Sequence, residues 1–144
     1  MVRDRRANIL AIAMLVGLTA GCGNVKVNTA LQQAQVMSAS AESTFHTLVT
    51  AASAMIPLLP QDQQAEKRQL LTDISLRGDQ LFQAEADAIK AALAANAETF
   101  DVATFAAAVA AVMEDLLKLS AAVGVRPDVV TNAKVRVARL KAGG

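Results

Sequence analysis

The chain has 144 residues, enough for one domain, and 53% of them are hydrophobic although only 3% are aromatic. Its formal net charge is +1, and the first 21 residues hold three of the 14 basic residues against one of the 13 acidic ones. The remainder is therefore close to neutral, which gives a nucleic-acid-binding role no support. A single cysteine excludes an internal disulfide framework and any CxxC redox or zinc motif.

Residues 1–21 have the three parts of a secretory signal peptide. Arg3, Arg5 and Arg6 make a positive start, an apolar run occupies 7–18, and small residues lead up to Cys22. The apolar run is shorter than the roughly 20 residues that a membrane-spanning helix needs. Residues 1–21 are therefore expected to be removed from the mature protein.

The sequence Leu18-Thr19-Ala20-Gly21-Cys22 closes this segment and resembles the lipobox of bacterial lipoproteins. Gly21 and Cys22 match the usual form well and Ala20 fits it, whereas Thr19 stands where leucine is common. The resemblance covers only the first 22 residues. It implies that Leu18, Thr19, Ala20 and Gly21 are read by the processing machinery. It also implies that Cys22 receives diacylglycerol and that its new amino terminus receives an acyl chain such as palmitate.

Such an anchor accounts for the lone thiol of an exported protein. Each buried CH2 contributes about 0.8 kcal/mol, so two or three acyl chains hold a protein stably in a membrane. In the lipoprotein family, Asp after the cysteine is common in proteins kept at the inner membrane, and this chain has Gly23. The resemblance therefore implies the periplasmic face of the outer membrane. Residues 22–27 would form the lipidated cysteine and a short tether, and no other cofactor is expected.

Residues 28–144 are expected to fold as an all-α, antiparallel bundle of three or four long helices with heptad-patterned, coiled-coil seams. Proline, glycine and capping signals place the helices at about 28–56, 61–96, 101–123 and 127–141, with Asn28 as the first N-cap. The seam of the first helix alternates steps of three and four residues: Leu31, Ala34, Ser38, Ala41, Phe45, Leu48, Ala52 and Met55.

The second predicted helix carries two neighbouring apolar stripes, which would serve two packing partners. The stripes are Leu70, Ile74, Leu81, Ala84, Ala88 and Ala91, and beside them Leu71, Phe82, Ile89 and Ala92. Gly78 in the interior costs about 1 kcal/mol relative to Ala, which indicates either a close helix crossing or a kink. Helical spacing also predicts two exposed ion pairs, Asp73 with Arg77 and Asp87 with Lys90.

The third predicted helix is capped by Asp101 and ends at the C-cap signal Gly124. Its core face is the most regular of the chain: Val102, Phe105, Val109, Val112, Leu116, Leu119 and Val123, widened by Ala106, Met113 and Leu117. On the solvent side, Glu114 and Asp115 are both predicted to pair with Lys118.

The fourth predicted helix opens at Pro127 and is basic outside its core face. Its core residues are Val130, Ala133, Val137 and Leu140. Lys134, Arg136, Arg139 and Lys141 form a candidate surface for an anionic partner: lipid phosphates, peptidoglycan or another protein. Alternatively, these charges neutralise the acidic remainder of their own bundle. The helix lacks the aromatic residues of single-stranded nucleic-acid platforms.

No catalytic set is recognisable, and the chain is not expected to be an enzyme. His46 is the only histidine, with Glu42 four residues before it, and this is too few ligands for a zinc site, so no metal is expected. Glu85 lies between the two stripes of the second helix, where burial would raise its pKa, but its head is expected to reach water. The sequence has no Gly-rich phosphate loop and no HExxH or GxSxG motif.

The sequence thus favours a membrane-anchored envelope lipoprotein that acts as a structural or adaptor module through its helix faces. Its expected partners are membrane lipid, and beyond it envelope proteins, peptidoglycan or further copies of itself. A carrier of an apolar ligand or lipid is the first alternative, because the wide third-helix face and small seam residues could leave a cavity. A phage-derived envelope lipoprotein for lysis or superinfection exclusion is the second, although outer-membrane lysis subunits tend to be shorter and proline-rich.

Overall fold

A computed structural model describes residues 29–97 and 99–142. Over these residues the chain forms four α-helices, and the predicted all-α bundle is confirmed. The helices are α1 (Thr29–Met55), α2 (Gln61–Ala94), α3 (Val102–Ala122) and α4 (Pro127–Lys141), with a short 3-10 turn (Ile56–Leu58) between α1 and α2. The predicted signal peptide, Cys22, the tether and the Asn28 cap lie outside the described residues.

The helices are arranged around a central pair. α1 and α3 contact each other, and each of them contacts both α2 and α4, whereas α2 and α4 do not meet. Consequently α2 and α4 lie on opposite sides of the α1–α3 pair. Since α4 has 15 residues against 27 in α1, it covers only part of that pair. The end where α1 begins, α2 ends and α3 begins is termed the tether end, and the end near Met55 and Gly124 the far end.

Most buried side chains belong to one large cluster, which fills the bundle from the middle to the far end. Within it, the ring of Phe82 is edge-on to Phe45 at 5.6 Å and to Phe105 at 6.2 Å between centroids. Phe45 also lies directly against Gly78, where an added Cβ would be 2.1 Å from its Cζ. The predicted close helix crossing at Gly78 is therefore confirmed, and α2 continues through it as a helix.

A much smaller cluster lies at the tether end. Its buried members are Leu31, Ala34 and Ile89, and Ala92, Phe100 and Val102 pack against it, partly buried. The α1 and α2 residues of this cluster continue the antiparallel register that the Phe45–Gly78 contact sets. The tether end is a thinner continuation of the same helix packing.

The core faces of α3 and α4 agree with the prediction. Every residue of the predicted α3 seam is buried apart from half-buried Val102, and the four predicted core residues of α4 are buried. The first predicted stripe of α2 is wrong at four of its six positions, because Leu70 is 42% exposed and Ala84, Ala88 and Ala91 are exposed, whereas Ile74 is buried and Leu81 half-buried. The buried face of α2 centres on Gly78 instead, because Phe45 packs where the glycine has no side chain. That face consists of Leu71, Ile74, Gly78, Phe82, Glu85 and Ile89.

The helix ends are closed by local hydrogen bonds. Gly124 follows α3 with φ +87°, and the next residue, Val125, donates its N–H to the Ser120 carbonyl at 2.9 Å, a Schellman cap. α2 ends in the same way with Asn96 at φ 49°. At the start of α3, the Asp101 carboxylate accepts hydrogen bonds from the Thr104 hydroxyl and N–H, as the capping signal predicts. These two hydrogen bonds lower the pKa of Asp101, and the bond from the Thr104 hydroxyl has the larger effect.

Candidate functional site

The four basic residues predicted as one anionic-partner surface are divided by the fold. Arg136 turns toward α1, where its Nη1 donates a hydrogen bond to Thr44 Oγ1 at 3.0 Å. Lys134 and Lys141 turn toward α3 and line a groove between α3 and α4. Arg139 is exposed on α4 and does not line that groove. The structure therefore brings together two of the four predicted residues.

This groove, here termed the lysine groove, is open to solvent and has a volume of about 550 Å³. Its charged lining consists of Glu114, Lys118, Lys134 and Lys141, and its apolar lining of Leu117, Ala121, Val137 and Ala138. On each helix the second, third and fourth lining residues lie three, four and seven positions after the first, so all four share one helix face. Leu117 and Val137 are buried and form the floor, because they also belong to the large cluster.

The electrostatics of the lysine groove leave two positive charges without a counter-charge. Lys141 forms an ion pair with Glu114 across the groove. Asp115 pairs with Arg77 of α2, with 3.1 Å between Oδ2 and Nη2. The predicted pairing of Glu114 and Asp115 with Lys118 is therefore wrong. Within the described part of the chain, neither Lys118 nor Lys134 has an ion-pair or hydrogen-bond partner.

Lys118 is the groove residue that the sequence reasoning missed. Its helical spacing to two carboxylates indicated a solvent-side pair within α3, which gave no reason to join it to α4. The signal that could have found it is the antiparallel register of α3 and α4, which sets Lys118 opposite the basic face of α4. That register depends on how the two core faces interlock and is not readable from either helix alone.

Glu85 is the one buried charged residue among those the structure describes. It is 6% exposed, and its Oε1 has no hydrogen-bond partner there. The side chain is therefore more deeply buried than the expectation of a head in water implies, and this holds for Oε1 in particular. Burial raises the pKa of Glu85 to about 7. It lies between Phe82 of the large cluster and Ile89 of the small one, and residues 29–41 and 102–113 of the facing helices contain no charged side chain.

His46 does not gather the ligands of a metal site around it among the described residues. His46 is exposed, and its Nε2 lies 3.6 Å from Glu42 Oε1. No three His, Cys, Asp or Glu side chains converge as a metal site anywhere in residues 29–97 or 99–142. Of the helices described, none combines the length and the apolar character needed to cross a membrane.

Comparisons with protein-family models, curated proteins and solved structures found no match for this chain. The lipobox sequence and the chemistry of the lysine groove therefore carry the functional inference. The groove offers unpaired ammonium groups beside an apolar floor. Such a surface is complementary in charge and apolar character to a segment that presents negative charge next to an apolar side chain.

Proposed function

We propose that this chain is a lipid-anchored envelope lipoprotein whose helical bundle acts as a non-enzymatic structural or adaptor module. The anchor is Cys22, and the destination is the periplasmic face of the outer membrane. The observation that supports the adaptor role is the lysine groove. Lys118 and Lys134 are free to meet an anionic partner, while Leu117 and Val137 supply an apolar contact.

The two parts of the groove have different tasks in this proposal. Removal of apolar surface from water stabilises a complex by roughly 25 cal/mol for each Å² buried. The charges add less to affinity, since exposed ion pairs contribute about 0.2–1 kcal/mol each, but they select the partner and orient it. An acidic partner with one apolar side chain would satisfy both requirements.

The position of the groove along the bundle favours a partner away from the lipid surface. Glu114 lies 12 residues into α3, which corresponds to roughly 18 Å from the tether end at 1.5 Å per residue. The predicted tether, residues 22–27, spans at most about 20 Å when fully extended. A bundle standing on this tether would keep its tether end near the membrane and hold the lysine groove above it.

The proposal is tested by photo-crosslinking in intact cells, with a photoreactive residue in place of Ala138, which lines the groove and leaves both lysines in place. A matched control carries it at Asn132, which is exposed on α4 outside the groove. We expect a protein adduct from position 138 and little from position 132. In the same cells, Cys22→Ala should abolish palmitate labelling and release the chain from membranes. A wild-type chain that fractionates as soluble, with an unmodified Cys22 thiol, would refute the proposal.

A further inference from the structure

The outer face of α2 carries an apolar side chain between two carboxylates. Leu76 is 58% exposed, although it is a large hydrophobic residue. Asp73 and Asp79 lie three residues before and after it, so both flank Leu76 on the same face, and both are exposed. Gln69 donates a hydrogen bond to Asp73 at 2.9 Å, but an amide brings no positive charge to offset the carboxylate. Asp73, Leu76 and Asp79 are here termed the acidic knob.

The acidic knob complements the lysine groove in both charge and apolar character. The knob has two carboxylates around one leucine, and the groove has two unpaired ammonium groups beside Leu117 and Val137. We infer that the lysine groove of one copy receives the acidic knob of a second copy of this chain. The inference rests on the proposed function and names the partner of the same groove.

The two surfaces cannot satisfy each other within one chain. The knob is on α2 and the groove is between α3 and α4, and α2 does not meet α4. Because α2 and α4 lie on opposite sides of the α1–α3 pair, both surfaces stay accessible when the bundle is folded. Each copy therefore offers one knob and one groove to its neighbours.

The heights of the two surfaces along the bundle also match. Arg77, next to Leu76, is hydrogen-bonded to Asp115 of α3 at 3.1 Å. This contact sets Leu76 level with the part of α3 that lies between Glu114 and Lys118, both of which line the groove. Two copies that stand side by side with the same end toward the membrane would thus present knob and groove at one height. Anchoring every copy at Cys22 would impose that common orientation.

Such a contact uses different patches on the two partners, so it is heterologous. A heterologous contact does not stop at two copies: it continues into a ring or an open row. Exposed ion pairs are individually weak, so we expect little association of dilute chains in solution. Confinement to a membrane raises the local concentration and allows weak lateral contacts to form. The anchored module would then be a lateral assembly.

Disulfide crosslinking in the envelope tests this contact with the full chain. Copies carrying Leu76→Cys and copies carrying Ala138→Cys, with different tags, are expressed together and oxidised mildly. We expect a dimer that contains both tags. The matched control replaces Leu76→Cys with Ala84→Cys, which is also exposed on α2 but lies two turns further along. The control pair should give little product.

Charge reversal then tests the complementarity. Lys118→Glu with Lys134→Glu in the Ala138→Cys copy should reduce the mixed dimer to the level of the Ala84→Cys control. Adding Asp73→Lys and Asp79→Lys to the Leu76→Cys copy should restore it. The inference is overturned if the yield of mixed dimer equals that of the Ala84→Cys control, or if charge reversal leaves that yield unchanged. It is also overturned if the Leu76→Cys copies crosslink mainly to each other.

Palmitate labelling of the same samples separates the two proposals. Labelled, membrane-bound chains that give no mixed dimer contradict only the self-association. They leave an acidic segment of another protein as the occupant of the groove. Loss of labelling from the wild-type chain contradicts the proposed function itself.

Discussion

The tether end and the far end of this bundle differ in how many helices hold them together. At the far end, α4 packs against α1 and α3 on the side away from α2, and the large cluster is continuous. At the tether end, three helices enclose a small cluster, whose buried members among the described residues are Leu31, Ala34 and Ile89. Glu85 lies at the boundary with an unpaired carboxylate oxygen. Local opening should therefore cost least at the end nearest to the predicted anchor.

Truncation of one side chain at each end should give the largest contrast. Phe45→Ala removes a ring that contacts Gly78 and Phe82 and should lower the free energy of unfolding by about 3–5 kcal/mol. Leu31→Ala should cost about 2 kcal/mol, at the low end for such a substitution, because its cluster can collapse. Urea titration of both variants, followed by circular dichroism, measures the difference. A larger loss from Leu31→Ala would reverse the comparison.

The buried carboxylate predicts a dependence of stability on pH. Folded Glu85 keeps its proton up to about pH 7, whereas the unfolded chain loses it near the ordinary pKa of 4.5. The Glu85 contribution to stability is therefore full below pH 4.5, falls as the pH rises to 7 and stays low above that. Glu85→Gln removes this loss and should make the chain more stable than wild type at pH 8, by up to about 3 kcal/mol.

Thermal unfolding of wild type and Glu85→Gln from pH 4 to pH 8 measures this effect. The unfolding temperatures of the two chains should be similar at pH 4 and diverge as the pH rises. Asp87→Asn, which changes an exposed carboxylate two residues further along α2, is the matched control and should parallel wild type. If wild type and Glu85→Gln keep a constant difference across this range, Glu85 does not titrate as proposed.

The two helix ends with positive φ give the smallest contrast. Gly124 at the far end has φ +87°, where an added Cβ costs about 1–2 kcal/mol, so Gly124→Ala should destabilise by that amount. Asn96 at the tether end already tolerates φ 49°, and Asn96→Gly should change stability by only a few tenths of a kcal/mol. Denaturation midpoints of the two variants decide this. Equal shifts would show that the two caps contribute alike.

The sequence predicted the helices and most of the core, because large side chains at heptad spacing fix a helix face without knowledge of its neighbours. The α3 seam from Phe105 to Val123 shows this, since branched and aromatic residues occupy every position of the seam itself. α2 shows the limit. Its alanine-rich stripe has little apolar surface to bury. The contact of Phe45 with Gly78 therefore determines which face of α2 turns toward the core.

For a related reason, the sequence predicted only the α4 side of the lysine groove. The basic face of α4 is visible in its sequence, but which side of that face meets α3 is set by the interlocking of two core faces. The ion pairs show the same limit. Spacing within one helix predicted that Arg77 pairs with Asp73 and that Lys118 pairs with Glu114. In the structure, Arg77 pairs with Asp115 and Glu114 pairs with Lys141, each on a different helix. Spacing within one helix says nothing about competing partners on the next.

The central claim is that this bundle is held to an envelope membrane through Cys22. Intact-mass and peptide mass spectrometry of the chain purified from membranes tests it most directly. The account predicts a chain that begins at Cys22, with diacylglycerol on the sulfur and an acyl group on the new amino terminus. A chain that still carries residues 1–21, or that begins elsewhere with an unmodified Cys22 thiol, would contradict it.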